Sequence, residues 1–197
     1  TYKNLYKELK KSDNRYVIRS ENNEKSYAGA SFEANTNVKT EIESETGSTS
    51  TIEMQNPTTA GSFKPDEKGG VITINSAWVD MESSNNIASV LVEEVVHAAQ
   101  YENSVGKDKN ATTAQGLPGT ANTEFEAKTI VGQIQQESNR PLWTSGADAG
   151  ANAFGRQAFQ TRSVNGYFDA LRQWHGGAYQ GTRQTDAQPK LLMRLIK

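Results

Sequence analysis

Four residues near the middle of the chain could do acid–base or metal chemistry together: Glu93, Glu94, His97 and, further on, Glu124. Residues 87–100 read Ile-Ala-Ser-Val-Leu-Val-Glu-Glu-Val-Val-His-Ala-Ala-Gln, so two acids and a histidine interrupt an otherwise apolar helical segment. At about 100° per residue, Glu93 and His97 stand about 40° apart, and Glu94 lies about 60° from His97 on the other side. All three share one arc of the helix. A buried, unpaired carboxylate there would cost several kcal/mol, so a metal ion or a dense hydrogen-bond network must compensate it. The chain has no cysteine, which excludes thiol catalysis and leaves His, Asp and Glu as the available metal ligands.

Glu93-Glu94-Val95-Val96-His97 resembles the HExxH signature of zincin-type metallopeptidases, with Glu93 in the place of the first zinc-binding histidine. Downstream, Glu124-Phe125-Glu126-Ala127-Lys128 resembles the ExxA(D/N) helix that supplies a third metal ligand in Glu-liganded zincins. The resemblance implies Glu93, His97 and Glu124 as metal ligands, Glu94 as general base, zinc as cofactor and a peptide or protein as substrate or ligand. It also implies a zincin-like α+β fold, in which a small twisted sheet packs on the central motif helix and residues 71–75 form the edge strand of a substrate cleft. A second resemblance covers the N-terminal part. A short helix, then Asn14-Arg15-Tyr16-Val17-Ile18-Arg19, polar strands and a Gly-Gly strand are similar to the peptidase-like C-terminal domains of bacterial RHS-type secreted polypeptides. That similarity implies export from a bacterial cell.

Two functional readings follow. In the preferred one, the degenerate EExxH motif marks a metallopeptidase-like domain with weakened or lost activity, holding zinc weakly or not at all. In the other, it is an active metal-dependent endopeptidase that uses the Glu93, His97, Glu124 set with Glu94 as base. Replacing a neutral imidazole by a carboxylate adds negative charge and makes a metal's water less acidic. A di-iron site is a poor alternative: the residue three before His175 is Arg172, so Glu94-Val95-Val96-His97 has no second ExxH.

Other residues have plainer readings. Glu124 and Glu126 also suit N-terminal helix capping. His175 is a candidate oxyanion donor or replacement ligand, but a histidine following a helix more often serves structure. Tyr101 and Tyr179 are possible transition-state donors. Trp143, Phe154, Phe159, Tyr167, Phe168 and Trp174 read as core aromatics.

The site needs elements to hold it. Residues 2–11 carry helical spacing that Ser12-Asp13-Asn14 stops, and 16–19 form a short strand. Residues 26–32, 38–42 and 51–54 suit polar strands, 64–70 a turn, and 71–75 the clearest strand. A helix capped at 84–86 runs to about Tyr101, and a loop covers 103–122. Thr123 is expected to cap a helix that reaches about Gln136 through a Thr-Glu-Phe-Glu capping box. Residues 151–160 and 164–174 are further helices, and the apolar tail 191–196 should dock on the body. The whole reads as one domain over 1–197, sheet-rich to about residue 80 and helical from about 81.

Composition narrows the partners. A net charge of −2 gives no general attraction to nucleic acid, and no apolar run is long enough to span a membrane. Beginning on Thr1, the chain is expected to be processed or excised from something longer, with any export signal outside it.

Overall fold

A run of β-branched residues, Val71-Ile72-Thr73-Ile74, makes a strand, and the sheet forms around it. In the computed structural model, which describes residues 1–10, 15–21, 37–43, 49–55, 61–66, 69–75, 84–104, 121–139, 146–178 and 183–197, that strand is the middle one of three. After helix α1 (Tyr2–Lys10), strand β1 (Arg15–Glu21) runs parallel to β5 (Gly69–Asn75), and β4 (Gly61–Asp66) runs antiparallel on the other side of β5. Strands β2 (Asn37–Glu43) and β3 (Thr49–Gln55) pair with each other as an antiparallel hairpin. The helical part follows as α2 (Ser84–Ser104), α3 (Ala121–Glu137), α4 (Gly146–Thr161), α5 (Tyr167–Ala178) and α6 (Lys190–Leu195). The class is α+β, as expected from the sequence.

Two sheet expectations need correction. Residues 71–75 are not an edge strand, because β1 and β4 flank them on both sides. Residues 64–66 are not a turn but the end of β4, with Pro65 opposite Gly70. Proline misled the reading here. It cannot donate to a ladder, yet an edge strand accommodates it, and among the described residues β4 stands at the edge of the sheet. Residues 67–68, and the strand expected at 26–32, lie outside the described residues.

The sheet packs against α2 through β4 and β5. Phe63, Ile72 and Ile74 bury their side chains with Val90 and Ala98 of that helix, and the Tyr101 ring stands edge-on to Phe63 with centroids 5.8 Å apart. This contact gives Tyr101 a packing role on the sheet side of α2. The other side of α2 faces α3, with α1 and α6 also against it.

Helix α3 is enclosed: 12 of its 17 residues are buried, so it is the inner helix of the bundle. Phe125 sits among Phe154, Tyr167 and Trp174, its ring centroid 5.4–5.8 Å from theirs. Helix α4 crosses α3 closely at Gly155, where an added Cβ would lie 2.8 Å from the Thr129 carbonyl oxygen. A side chain there would push the helices apart. The apolar tail docks as α6, burying Leu191, Leu192 and Leu195.

Helix boundaries differ from expectation in ways the structure explains. Helix α2 continues to Ser104 rather than ending near Tyr101. Helix α3 opens at Ala121, so Thr123 lies inside its first turn and is not an N-cap. The capping comes from another part of the chain. The Ala121 N–H donates to the Arg183 carbonyl at 3.0 Å, and the Asn122 side chain is bonded to Thr185 and Ala187 backbone groups. Helix α4 begins five residues earlier than expected, at Gly146. Helix α5 starts at Tyr167 rather than 164, after a turn containing Gly166 at φ +79°. It also continues through His175, which therefore lies within a helix rather than after one. Residues 105–120, Trp143 and Tyr179 lie outside the described residues. Among the described residues, no helix is long and apolar enough to cross a membrane.

Candidate metal centre

Helix α2 carries polar residues at positions 89, 93, 97 and 100, spaced by four, four and three. That spacing keeps them on one stripe. Helix α3 carries Glu124, Lys128 and Gln135 at intervals of four and seven, another single stripe. The two stripes meet with the helices antiparallel. At one end the Gln135 amide donates to the Ser89 hydroxyl at 2.6 Å. Next, the Lys128 ammonium donates to Glu93 Oε2 at 2.9 Å. Then His97 Nε2 lies 3.5 Å from Glu124 Oε2. At the far end Gln100 reaches the start of α3. Four polar contacts thus close a seam between two helices whose other faces are packed with apolar side chains.

Gln100 organises its end of the seam. Its Nε2 donates to the Thr123 carbonyl at 2.9 Å and to Glu126 Oε2 at 2.7 Å. An amide nitrogen has two hydrogens, and both are used. Its oxygen therefore faces His97 Nδ1, 2.8 Å away, and accepts the Nδ1–H. This assigns the proton to Nδ1 and directs Nε2 toward Glu124, the orientation a ligating histidine needs. Glu126 completes the chain by accepting the Leu192 N–H on Oε1 at 2.9 Å, which ties α6 to the seam.

Burial perturbs every titratable group here. Glu94 is buried, and desolvation pushes its carboxyl up to about 8, with Glu93 and Glu124 adding to the rise and His97 opposing it. Glu93 is likewise raised by burial, against the pull of Lys128. Burial alone would lower His97, but Glu124 first, then Glu94 and Glu93, push it up to about 10. Glu126 is pushed up to about 7 by burial, less than it would be without its hydrogen bonds from Leu192 and Gln100. Without a metal, burial favours the protonated form of Glu94, and the neighbouring acids favour the cationic form of His97.

The three ligands expected from the sequence do converge. One donor atom each from Glu93, His97 and Glu124 lie within 4.8 Å of one another, on residues that are buried or half-buried, and such a group could hold a metal ion. Glu94 lies buried on the same helix, with its carboxyl coupled to all three. His175 is not part of the donor group. The sequence reading leaves out four participants: Ser89, Lys128 and Gln135 have no role in it, and Glu126 has only a capping role although it is buried between Gln100 and α6. The signal that could have found them is the pair of matching polar stripes on two otherwise apolar helices.

No family model, curated protein or solved structure matches the chain.

Proposed function

We propose that this chain is a zincin-like metallopeptidase domain whose zinc site is degenerate, so that peptidase activity is weakened or lost. The observation that carries the proposal is the convergence of Glu93, His97 and Glu124 from two helices, with Glu94 beside them. The separation of His97 Nε2 and Glu124 Oε2, 3.5 Å, is close to the roughly 3.4 Å that tetrahedral zinc ligands keep. His97 would ligate through Nε2, held in the correct tautomer by Gln100, and Glu124 and Glu93 through carboxylate oxygens. Zinc bound there would supply Lewis-acid polarisation of a peptide carbonyl.

The protein's own groups support a weak site. Glu93 brings a charge where an imidazole would be neutral, and its Oε2 is engaged by Lys128. A general base must be deprotonated to accept a proton, and without metal, burial raises the Glu94 carboxyl to about 8, which works against that role. Retained activity would need Glu94 ionised and Glu93 able to ligate in spite of its pair with Lys128. The ligand of such a domain would be a peptide or protein segment. An exported bacterial location suits the reading, through the resemblance of the N-terminal part to RHS-type polypeptides.

The test is calorimetric titration of zinc into the parent and into Glu93→His. The substitution rebuilds two histidines one turn apart and removes a charge from a crowded acidic site. The parent should bind weakly and the variant at least about tenfold more tightly, a difference of about 1.4 kcal/mol. Stoichiometric zinc that survives dialysis of the parent against a mild chelator would contradict the degenerate reading. Failure of both proteins to bind would contradict the metal centre itself.

A further inference from the structure

The contacts between α2 and α3 form a reciprocal pattern. Helix α2 presents an acid and a base four residues apart, Glu93 and His97. Helix α3 presents an acid and a base four residues apart, Glu124 and Lys128. Because the helices are antiparallel, each acid meets the base opposite: Lys128 Nζ to Glu93 Oε2 at 2.9 Å, and His97 Nε2 to Glu124 Oε2 at 3.5 Å. Neither helix alone could satisfy these groups, since each contact crosses between them. The Lys128 and Glu93 side chains are only 11% and 9% exposed, so this is an interior pair and not a solvated surface bridge. A lysine seldom enters an interior without a partner, and here the partner is one of the three candidate metal ligands.

We infer that Lys128 is the resident cation of this site, a residue that sets its metal affinity by holding Glu93 Oε2 in a pair with which a divalent cation has to compete. The inference rests on the reading of Glu93, His97 and Glu124 as a metal centre, and it assigns regulation of that centre to a side chain outside the ligand set. In a metal-dependent zincin the ion joins the motif helix to the helix of the third ligand. Here the ammonium makes that junction on the Glu93 side, with a single positive charge carried by the chain itself. A divalent ion entering the site competes with an intramolecular cation already desolvated and in position. The competitor cannot diffuse away, so the parent's zinc affinity is lowered whatever the ionic composition of the medium. Glu93 is thereby kept compensated without metal, which allows the substitution at the first-ligand place without unfolding the seam.

The experiment uses the full chain, stripped with chelator, and Lys128→Met, which keeps the length of the stem and removes the ammonium. Zinc chloride is titrated by calorimetry, and melting is followed across free zinc concentrations. Lys128→Met should bind zinc about 10- to 100-fold more tightly than the parent. Its melting temperature should rise with the logarithm of free zinc where the parent's barely moves. Adding His97→Ala to the variant should abolish the gain. If Lys128→Met does not fold without metal, Lys128→Gln retains a donor to Glu93 and carries the same expectation. Should both lysine variants bind zinc no more tightly than the parent while Glu93→His binds it, the inference is overturned and the metal centre stands. If none of the three binds zinc, the metal-centre reading falls and the inference with it.

Discussion

Helix α3 is buried on two faces that are held by opposite means. Toward α4 and α5 it presents Phe125, with the rings of Phe154, Tyr167 and Trp174 closing around it. Toward α2 it presents Glu124 and Lys128, and each meets a specific charged group. Apolar burial is non-directional and scales with area removed from water, so the first face depends on volume and tolerates substitutions that conserve it. The second depends on identity. Removing one partner of a buried polar pair strands the other, and that loss far exceeds the pair's net contribution. One helix therefore teaches why buried position alone does not indicate what a residue does: Phe125 and Glu126 are neighbours in sequence and both buried, but one fills space and the other satisfies hydrogen bonds.

The largest effect should come from emptying the apolar face. Phe125→Ala removes the ring at the centre of the cluster and should cost about 3–5 kcal/mol in urea unfolding. Volume-conserving changes elsewhere in the same apolar cluster, such as Ile130→Leu, should stay under about 1.5 kcal/mol. A loss of comparable size in both would mean the apolar cluster is as specific as the seam.

Gln100→Met sharpens the contrast from the other side. The shape is nearly kept, but Glu126, the Thr123 carbonyl and His97 Nδ1 each lose a hydrogen-bond partner. Stability should fall by about 1–3 kcal/mol despite the preserved volume. With zinc present, the variant should also lose the Nδ1–H signal of His97 from its hydrogen-bonded position in the imidazole nitrogen NMR spectrum. An unchanged stability and an unchanged signal would remove Gln100 from any positioning role.

The mildest perturbation is pH, and from about 6 to about 10 it acts chiefly on the seam. Glu94 and Glu126, pushed up from 4.5 to about 8 and about 7 mainly by burial, bind protons more tightly folded than unfolded. His97, raised from 6.5 to about 10 as its acidic neighbours outweigh burial, does the same. Stability from each is complete below its unfolded value and is lost as pH rises through its folded one. The chelator-treated protein should therefore melt highest in mildly acid solution and progressively lower from about pH 6 to about pH 10. The slope is bounded at about 1.4 kcal/mol per pH unit for each proton held. Phe125→Ala should keep that slope, since it leaves the seam's charges in place. A melting temperature that climbs from pH 6 to pH 9 would show the seam to be ionised and solvated instead.

Much of the site was legible because its spacing is local. Glu93, Glu94 and His97 lie on one arc through helix geometry alone, and the apolar residues around them announce that the arc is buried. Strand β5 and the docking of the tail were legible for the same reason, as runs of apolar residues with a single period or none. Strand β4 was not, because Pro65 reads as a turn until the sheet order shows it at an edge.

The sequence by itself determined which residues could meet: an acid–base pair one turn apart on α2, another on α3, and a lone imidazole where the zincin pattern has two. The tertiary structure decided which of them do. The antiparallel docking of α3 on α2 matched Lys128 to Glu93 and Glu124 to His97, and no local rule specifies the relative register of two helices separated by a long connection. The start of α3 was decided in the same way. Thr123-Glu124-Phe125-Glu126 offers a capping box, but the helix opens at Ala121, where the Arg183 carbonyl accepts the Ala121 N–H and the Asn122 side chain bonds the 185–187 backbone. Side-chain capping is worth about 1 kcal/mol, and contacts that bury a helix end against another segment outweigh it.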